Sequence, residues 1–154
     1  MIRKQIVSSC MVLVTILTFC QLCYAALGGN SDTIVSDRKS LQAVRHATTS
    51  NKGYTVEEVV SDATTVREYV SSSGIVFGIA WNGYVHPDLT QLLGSYWNEY
   101  SAAQQKIARK FGRKHQQLAT DNIVIEKWGH MRNLKGRAYV PGLVPAGVSI
   151  DEIK

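Results

Sequence analysis

The stretch "TVREYVSSSGIVFGIAWN", Thr65 to Asn82, decides the fold. Val66, Glu68 and Val70 fall on one face of an extended chain, and Arg67 and Tyr69 on the other. "SSSG" (Ser71 to Gly74) suits a hairpin loop, with Gly74 where a positive φ is expected. "IVFGIAWN" (Ile75 to Asn82) is apolar on both faces, as in a central strand covered on both sides. Upstream, "YTVEEVV" places Tyr54, Val56 and Val60 on one face, with Glu58 breaking the pattern. These runs predict an antiparallel meander.

Downstream the period changes. In "HPDLTQLLGSYWNEYSAAQQKIARKFGRKHQQ", Leu89, Leu92, Leu93, Tyr96, Tyr100, Ala103 and Ile107 recur at helical spacing. Pro87 suits the first helical position, and Asp88 complements the dipole. Gly94 flanks the stripe and weakens the helix by about 1 kcal/mol relative to Ala. "NIVIEKW" then reads as a strand with Ile123 and Ile125 facing one way and Val124 and Trp128 the other. The chain turns near Gly129 and returns to Val140 as a further strand, bulged near Lys135 and Gly136. Pro141 and Pro145 exclude a regular interior strand beyond it, so the end of the chain is expected to wrap the surface. The polar "RHATTSNKG" (Arg45 to Gly53) reads as a loop, and a short helix is expected from Asp32 to Ala43. The expected fold is α+β, an antiparallel sheet of about five strands with the main amphipathic helix packed on one face.

The N-terminus bears on compartment. Arg3 and Lys4 precede the uncharged, apolar run Ile6 to Leu22, and "CYA" ends on Ala25. This is the layout of a secretory signal peptide over residues 1–25, with one small domain over 26–154. The expected location is therefore periplasmic or secreted. All three cysteines, Cys10, Cys20 and Cys23, precede that cut, so "CQLC" is not expected to serve as a redox pair. Behind the cut, "ALGGN" is expected to be flexible. Removing Arg3 and Lys4 lowers the formal net charge from +5 to +3, too small a surplus to argue for nucleic acid.

No phosphate loop, zinc-protease helix or nucleophile elbow is present in the sequence, and the four histidines lack metal-ligand spacing. No metal or cofactor is therefore expected. Two stretches carry candidate chemistry. In "WGHMRNLKGRAYVP", His130, Arg132 and Arg137 could share a strand face, and Tyr139 could add a hydroxyl. Two guanidiniums beside an imidazole suit an oxyanion or carboxylate. In "WNGYVHPDL", Trp81, Asn82, His86 and Asp88 surround a strand-to-helix junction, where loops often carry function. A third feature, the cations Lys106, Arg109 and Lys110 at the helix end, suits weak contact with a membrane surface.

The segments "ALGG", "VREYVSSSGIVFGIAWNG", "HPDLTQLLGSYWNEY" and "GHMRNLKGRAYVPGLVPAGV" together resemble an exported bacterial family known as domain of unknown function 2844. The resemblance runs in order over nearly the whole mature chain. It implies bacterial origin, export and a single small domain, and it transfers no catalytic residue. Family members often carry Gly-Pro where this chain has Tyr84 and Val85, and Ser-Gly where it has Lys127 and Trp128. The expected function is a non-catalytic envelope module that binds a partner protein or an anionic ligand. The alternative is a small periplasmic hydrolase or lyase, with His130 as base, Arg132 and Arg137 as anion clamp, and Glu68, Asp88 or Tyr84 completing the set.

Overall fold

A computed structural model of the protein describes residues 27–30, 45–51, 53–108, 112 and 114–154. The segment expected to be a signal peptide, with its cysteines, the helix expected from Asp32 to Ala43, and Arg109 and Lys110 lie outside the described residues.

Seven strands form one antiparallel sheet: β1 (Arg45–Asn51), β2 (Tyr54–Val60), β3 (Thr64–Ser71), β4 (Val76–Gly83), β5 (His115–Ala119), β6 (Val124–His130) and β7 (Asn133–Tyr139). Their spatial order is β1-β2-β3-β4-β7-β6-β5. Two meanders thus meet where β4 pairs with β7. Between the meanders runs α1 (Leu89–Leu93), a 3-10 turn over Gly94–Tyr96, and α2 (Trp97–Gln105).

The described chain is therefore largely β, not the α+β fold of about five strands that the pattern suggested. The two additional strands, β1 and β5, are the edges of the sheet. β1 contains no large apolar residue, and β5 buries only Leu118. An edge strand has one neighbour and can stay polar, which also guards against edge-to-edge association. Hydrophobic alternation therefore cannot reveal it. β1 instead docks through its backbone and through Thr48 Oγ1, which donates to Glu57 Oε2 at 2.7 Å.

The helical stripe packs as its spacing suggests: Leu89, Leu92, Leu93 and Tyr100 are buried, with Tyr96, Trp97, Ala103 and Ile107 packed against them. The helix is nevertheless not continuous. Gly94 adopts φ 49°, a left-handed value that favours glycine, and ends α1. Pro87 lies before the cap rather than inside the helix, because Asp88 is the N-cap.

β7 pairs without interruption with both β4 and β6, so the expected bulge near Gly136 is absent. The irregularity lies between β3 and β4, where Tyr69 pairs with Gly78 and Val70 with Val76. Phe77 is the extra residue, and the strand switches faces around it. Val76, Ile79 and Trp81 consequently join the core under the helix, while Phe77 and Ala80 join the opposite core.

That second core is closed by the tail, residues 141–154. Ile153 is fully buried against Gly78, where an added Cβ would lie 2.9 Å from Ile153 Cδ1. Tyr54, Tyr69 and Phe77 pack edge to face or tilted, with centroids 5.9 to 6.2 Å apart. Tyr54 donates to Glu152 at 2.6 Å, and Tyr69 accepts from the Lys154 N–H at 3.0 Å. The tail wraps the surface as expected, but as a fastened cover.

The N-terminal "ALGGN" is likewise fastened where it is described. Leu27 is buried; its N–H donates to Leu92 O at 2.9 Å, and that of Gly28 to Val76 O at 2.8 Å.

Candidate functional site: a cleft between helix and sheet

Lys127 in β6, Gly136 in β7 and Trp81 in β4 form one cross-strand row. Gly136 lacks a side chain, and the Trp81 indole lies over it. A Cβ there would fall 2.2 Å from Trp81 Cζ2. On the same side of the sheet, the β4–α1 loop brings in His86. Trp81 Nε1–H donates to His86 Nδ1 at 2.9 Å, with the rings edge to face.

This contact fixes the chemistry of His86. An indole N–H only donates, so Nδ1 carries no proton. The neutral ring therefore holds its proton on Nε2 and offers a donor there, while protonating Nδ1 would break the bond to Trp81. Burial first, and then the Lys127 charge, lower the His86 pKa from its ordinary value. His86 is held as a neutral hydrogen-bond donor.

Lys127 is half-buried. Its Nζ donates to Tyr100 OH and sits 4.9 Å from that ring's centroid. Burial lowers the Lys127 pKa and raises that of Tyr100. The phenol accepts from the ammonium and keeps its own proton to donate.

These groups border a cleft of about 470 Å³, within the range of small-ligand sites. His86, Pro87, Asp88 and Leu89 form one wall, and Trp97, Tyr100, Ser101, Gln104 and Gln105 of α2 form another, with Lys127 on the sheet side. Asp88 accepts from Thr90 N–H through Oδ1 at 2.9 Å, which orients the start of α1.

The other residues singled out in the sequence are placed elsewhere. Asn82 is exposed one residue beyond Trp81, on the other face of β4. His130 ends β6, and Met131 and Arg132 form the two-residue turn to β7, Arg132 at φ 64°. His130 Nδ1 lies 3.3 Å from Met131 O. Arg137 stands opposite Glu126, four residues along the strand from the His130–Asn133 pair, or roughly 13 Å. It is engaged there: Nε donates to Glu126 at 2.6 Å and Nη1 to Ile150 O at 2.8 Å. Tyr139 is buried in the tail-side core. His130, Arg137 and Tyr139 share a face of the hairpin, Arg132 sits in its turn, and the four do not converge. Glu68 is buried in β3 between Val66 and Val70, Tyr84 is exposed in the β4–α1 loop, and Asp88 caps α1. Lys106 is exposed just beyond α2.

The family described as "Protein of unknown function (DUF2844)" matches residues 23–153. The chain belongs to the DUF2844 family. No curated protein and no solved structure matches this DUF2844 chain. Its site must therefore be read from its own residues.

Two of those residues, Lys127 and Tyr100, escaped the sequence reading, though both left a signal. Lys127 has the same strand parity as the buried Ile123 and Ile125, which makes it a cation on a core-facing position. Tyr100 is a hydroxyl-bearing residue in the middle of the apolar helix stripe. The pairing of the two spans β6 and α2 and could not be seen from either alone.

Proposed function

We propose that this protein is a non-catalytic ligand-binding module of the bacterial envelope, and that the cleft between α2 and the sheet takes a small anionic ligand. The observation that carries this reading is a half-buried Lys127 ammonium paired with Tyr100, in a cleft that His86 also lines. Tyr100 keeps its O–H, and His86 is locked by Trp81 with its proton on Nε2. Converging donors in a partly desolvated cleft stabilise negative charge more strongly than they would in water. The same lock counts against acid–base catalysis at His86, because its acceptor nitrogen is already occupied. The hydrolase alternative draws less support, since Arg137 is tied to Glu126 and the tail.

The envelope assignment rests on the signal-like segment of residues 1–25. Acetate and inorganic phosphate serve as probes. Titrated into isotope-labelled full chain, they are expected to shift the Trp81 indole N–H resonance saturably in the wild type but not in Lys127→Met. An indole resonance that stays still in the wild type, or moves equally in the variant, sinks the anion reading.

A further inference from the structure

Resting on that reading, we infer that the ligand is a carboxylate-bearing sugar: the carboxylate is held at Lys127 and His86, and the hydroxyls are held by the amide end of the cleft. The lining is not that of a simple anion hole. Trp97 is a half-buried aromatic wall, in tilted contact with Tyr100 at a centroid distance of 5.7 Å. The apolar C–H face of a pyranose packs against such a ring, whereas a phosphate gains nothing from it. Gln104 and Gln105, both exposed on α2, each offer an acceptor and donors, the pairing that a ring hydroxyl can satisfy in both roles.

Asp88 decides against a polyanion. It adds a carboxylate to the wall, and with Oδ1 taken by Thr90 its second oxygen remains an acceptor. Beside a phosphate, which carries more charge, that carboxylate repels more strongly than beside a single carboxylate held at Lys127; beside a hydroxyl it accepts a hydrogen bond. The cleft therefore carries its positive charge on the sheet side, at Lys127, and mixed donors and acceptors on the loop and helix walls. A uronic acid has the same division, with one charged carboxylate on an otherwise neutral, hydroxylated ring.

Calorimetric titration of the full chain with glucuronate, methyl glucoside, acetate and inorganic phosphate tests this. Glucuronate is expected to bind about tenfold or more tightly than any of the other three, because each of those lacks either the charge-assisted contact or the hydroxyl contacts. Lys127→Met is expected to reduce glucuronate to the level of the glucoside. Gln104→Ala, an exposed change that leaves the core alone, is expected to weaken glucuronate while leaving acetate unchanged. Acetate or phosphate binding as tightly as glucuronate, or indifference of glucuronate to Gln104→Ala, overturns the sugar assignment and leaves the anion reading standing. Glucuronate binding that survives Lys127→Met undiminished overturns both.

Discussion

The two faces of the sheet are covered in opposite ways. The tail face is sealed by its own chain. There Arg67 meets Glu58, Arg137 meets Glu126, and Tyr54 meets Glu152, so most polar groups end on a partner that also holds the cover down. The helix face is covered by an element that stands partly away from the sheet. Two of its polar pairs, Trp81 with His86 and Lys127 with Tyr100, lie along the edge of a cleft and keep donors to spare. A paired charge in a sealed core contributes to the stability of the fold, whereas a paired charge beside a cleft remains available to a ligand. The identity of the side chain does not separate these roles. Arg137 has the richer hydrogen-bonding chemistry and Lys127 the better position.

The largest effect is expected at Arg137. Side chains of Arg137 and Glu126 are 17% and 13% exposed, so Arg137→Met leaves a nearly buried carboxylate without its partner and releases the tail at Ile150. Breaking a buried pair of this kind costs about 3 kcal/mol. Urea denaturation should show that loss, while anion binding at the cleft stays at the wild-type level. If Arg137→Met instead abolished binding without lowering stability, the division between the two faces would be wrong, and the His130–Arg132–Arg137 reading would return.

Gly136→Ala is expected to have a somewhat smaller cost with a different signature. The new Cβ would lie 2.2 Å from the Trp81 ring and 2.8 Å from the Glu126 carbonyl oxygen, and neither a packed indole nor backbone yields readily. Overpacking of this sort costs about 2 kcal/mol. Here stability and binding should fall together, because displacing the indole also breaks its bond to His86. Loss of stability with the indole N–H resonance and anion binding unchanged would mean that the Trp81–His86 contact is incidental to the cleft.

The contrast between faces also explains what was legible in the sequence. The interior of the sheet was: Val66, Val70 and Ile125 sit where alternation placed them, and the helix stripe from Leu89 to Ile107 packs as its spacing required. Polar edge strands were not, because β1 and β5 pair through backbone atoms, whose hydrogen bonding is independent of side-chain type. The bulge at Phe77 was not, since a run apolar on both faces looks the same with or without a switch of face. At the junction, Trp81, His86 and Asp88 were singled out and do border the cleft or support it. The hairpin cluster drew attention through its density of charged residues over a short span. Density along the chain is a poor guide when a strand spreads its residues at about 3.4 Å each. The site that forms joins Trp81 and His86 to Tyr100 and Lys127 across β4, α2 and β6, a convergence that only tertiary packing creates.

The smallest expected effect is the most specific to the cleft. Desolvation and the Lys127 charge hold the His86 pKa below its ordinary value near 6.5, so between the two values the unfolded chain binds more protons than the folded one. Stability therefore rises with pH across that window. The contribution of neutral His86 is fully present above about pH 6.5 and is lost as pH falls through the depressed folded pKa. His86→Gln cannot titrate. The stability difference between wild type and His86→Gln should then be flat above that pH and shrink below it, with the other histidines cancelling in the comparison. Lys127→Met removes the charge that assists the depression, so in that variant the His86 titration, followed by imidazole nitrogen chemical shifts, should move upward. The same shifts report the tautomer, with the proton on Nε2 and Nδ1 bare. A protonated Nδ1 in the neutral ring, or a His86 pKa above the ordinary value, would show that Trp81 does not hold the imidazole as a donor, and the cleft would lose the donor assigned to His86.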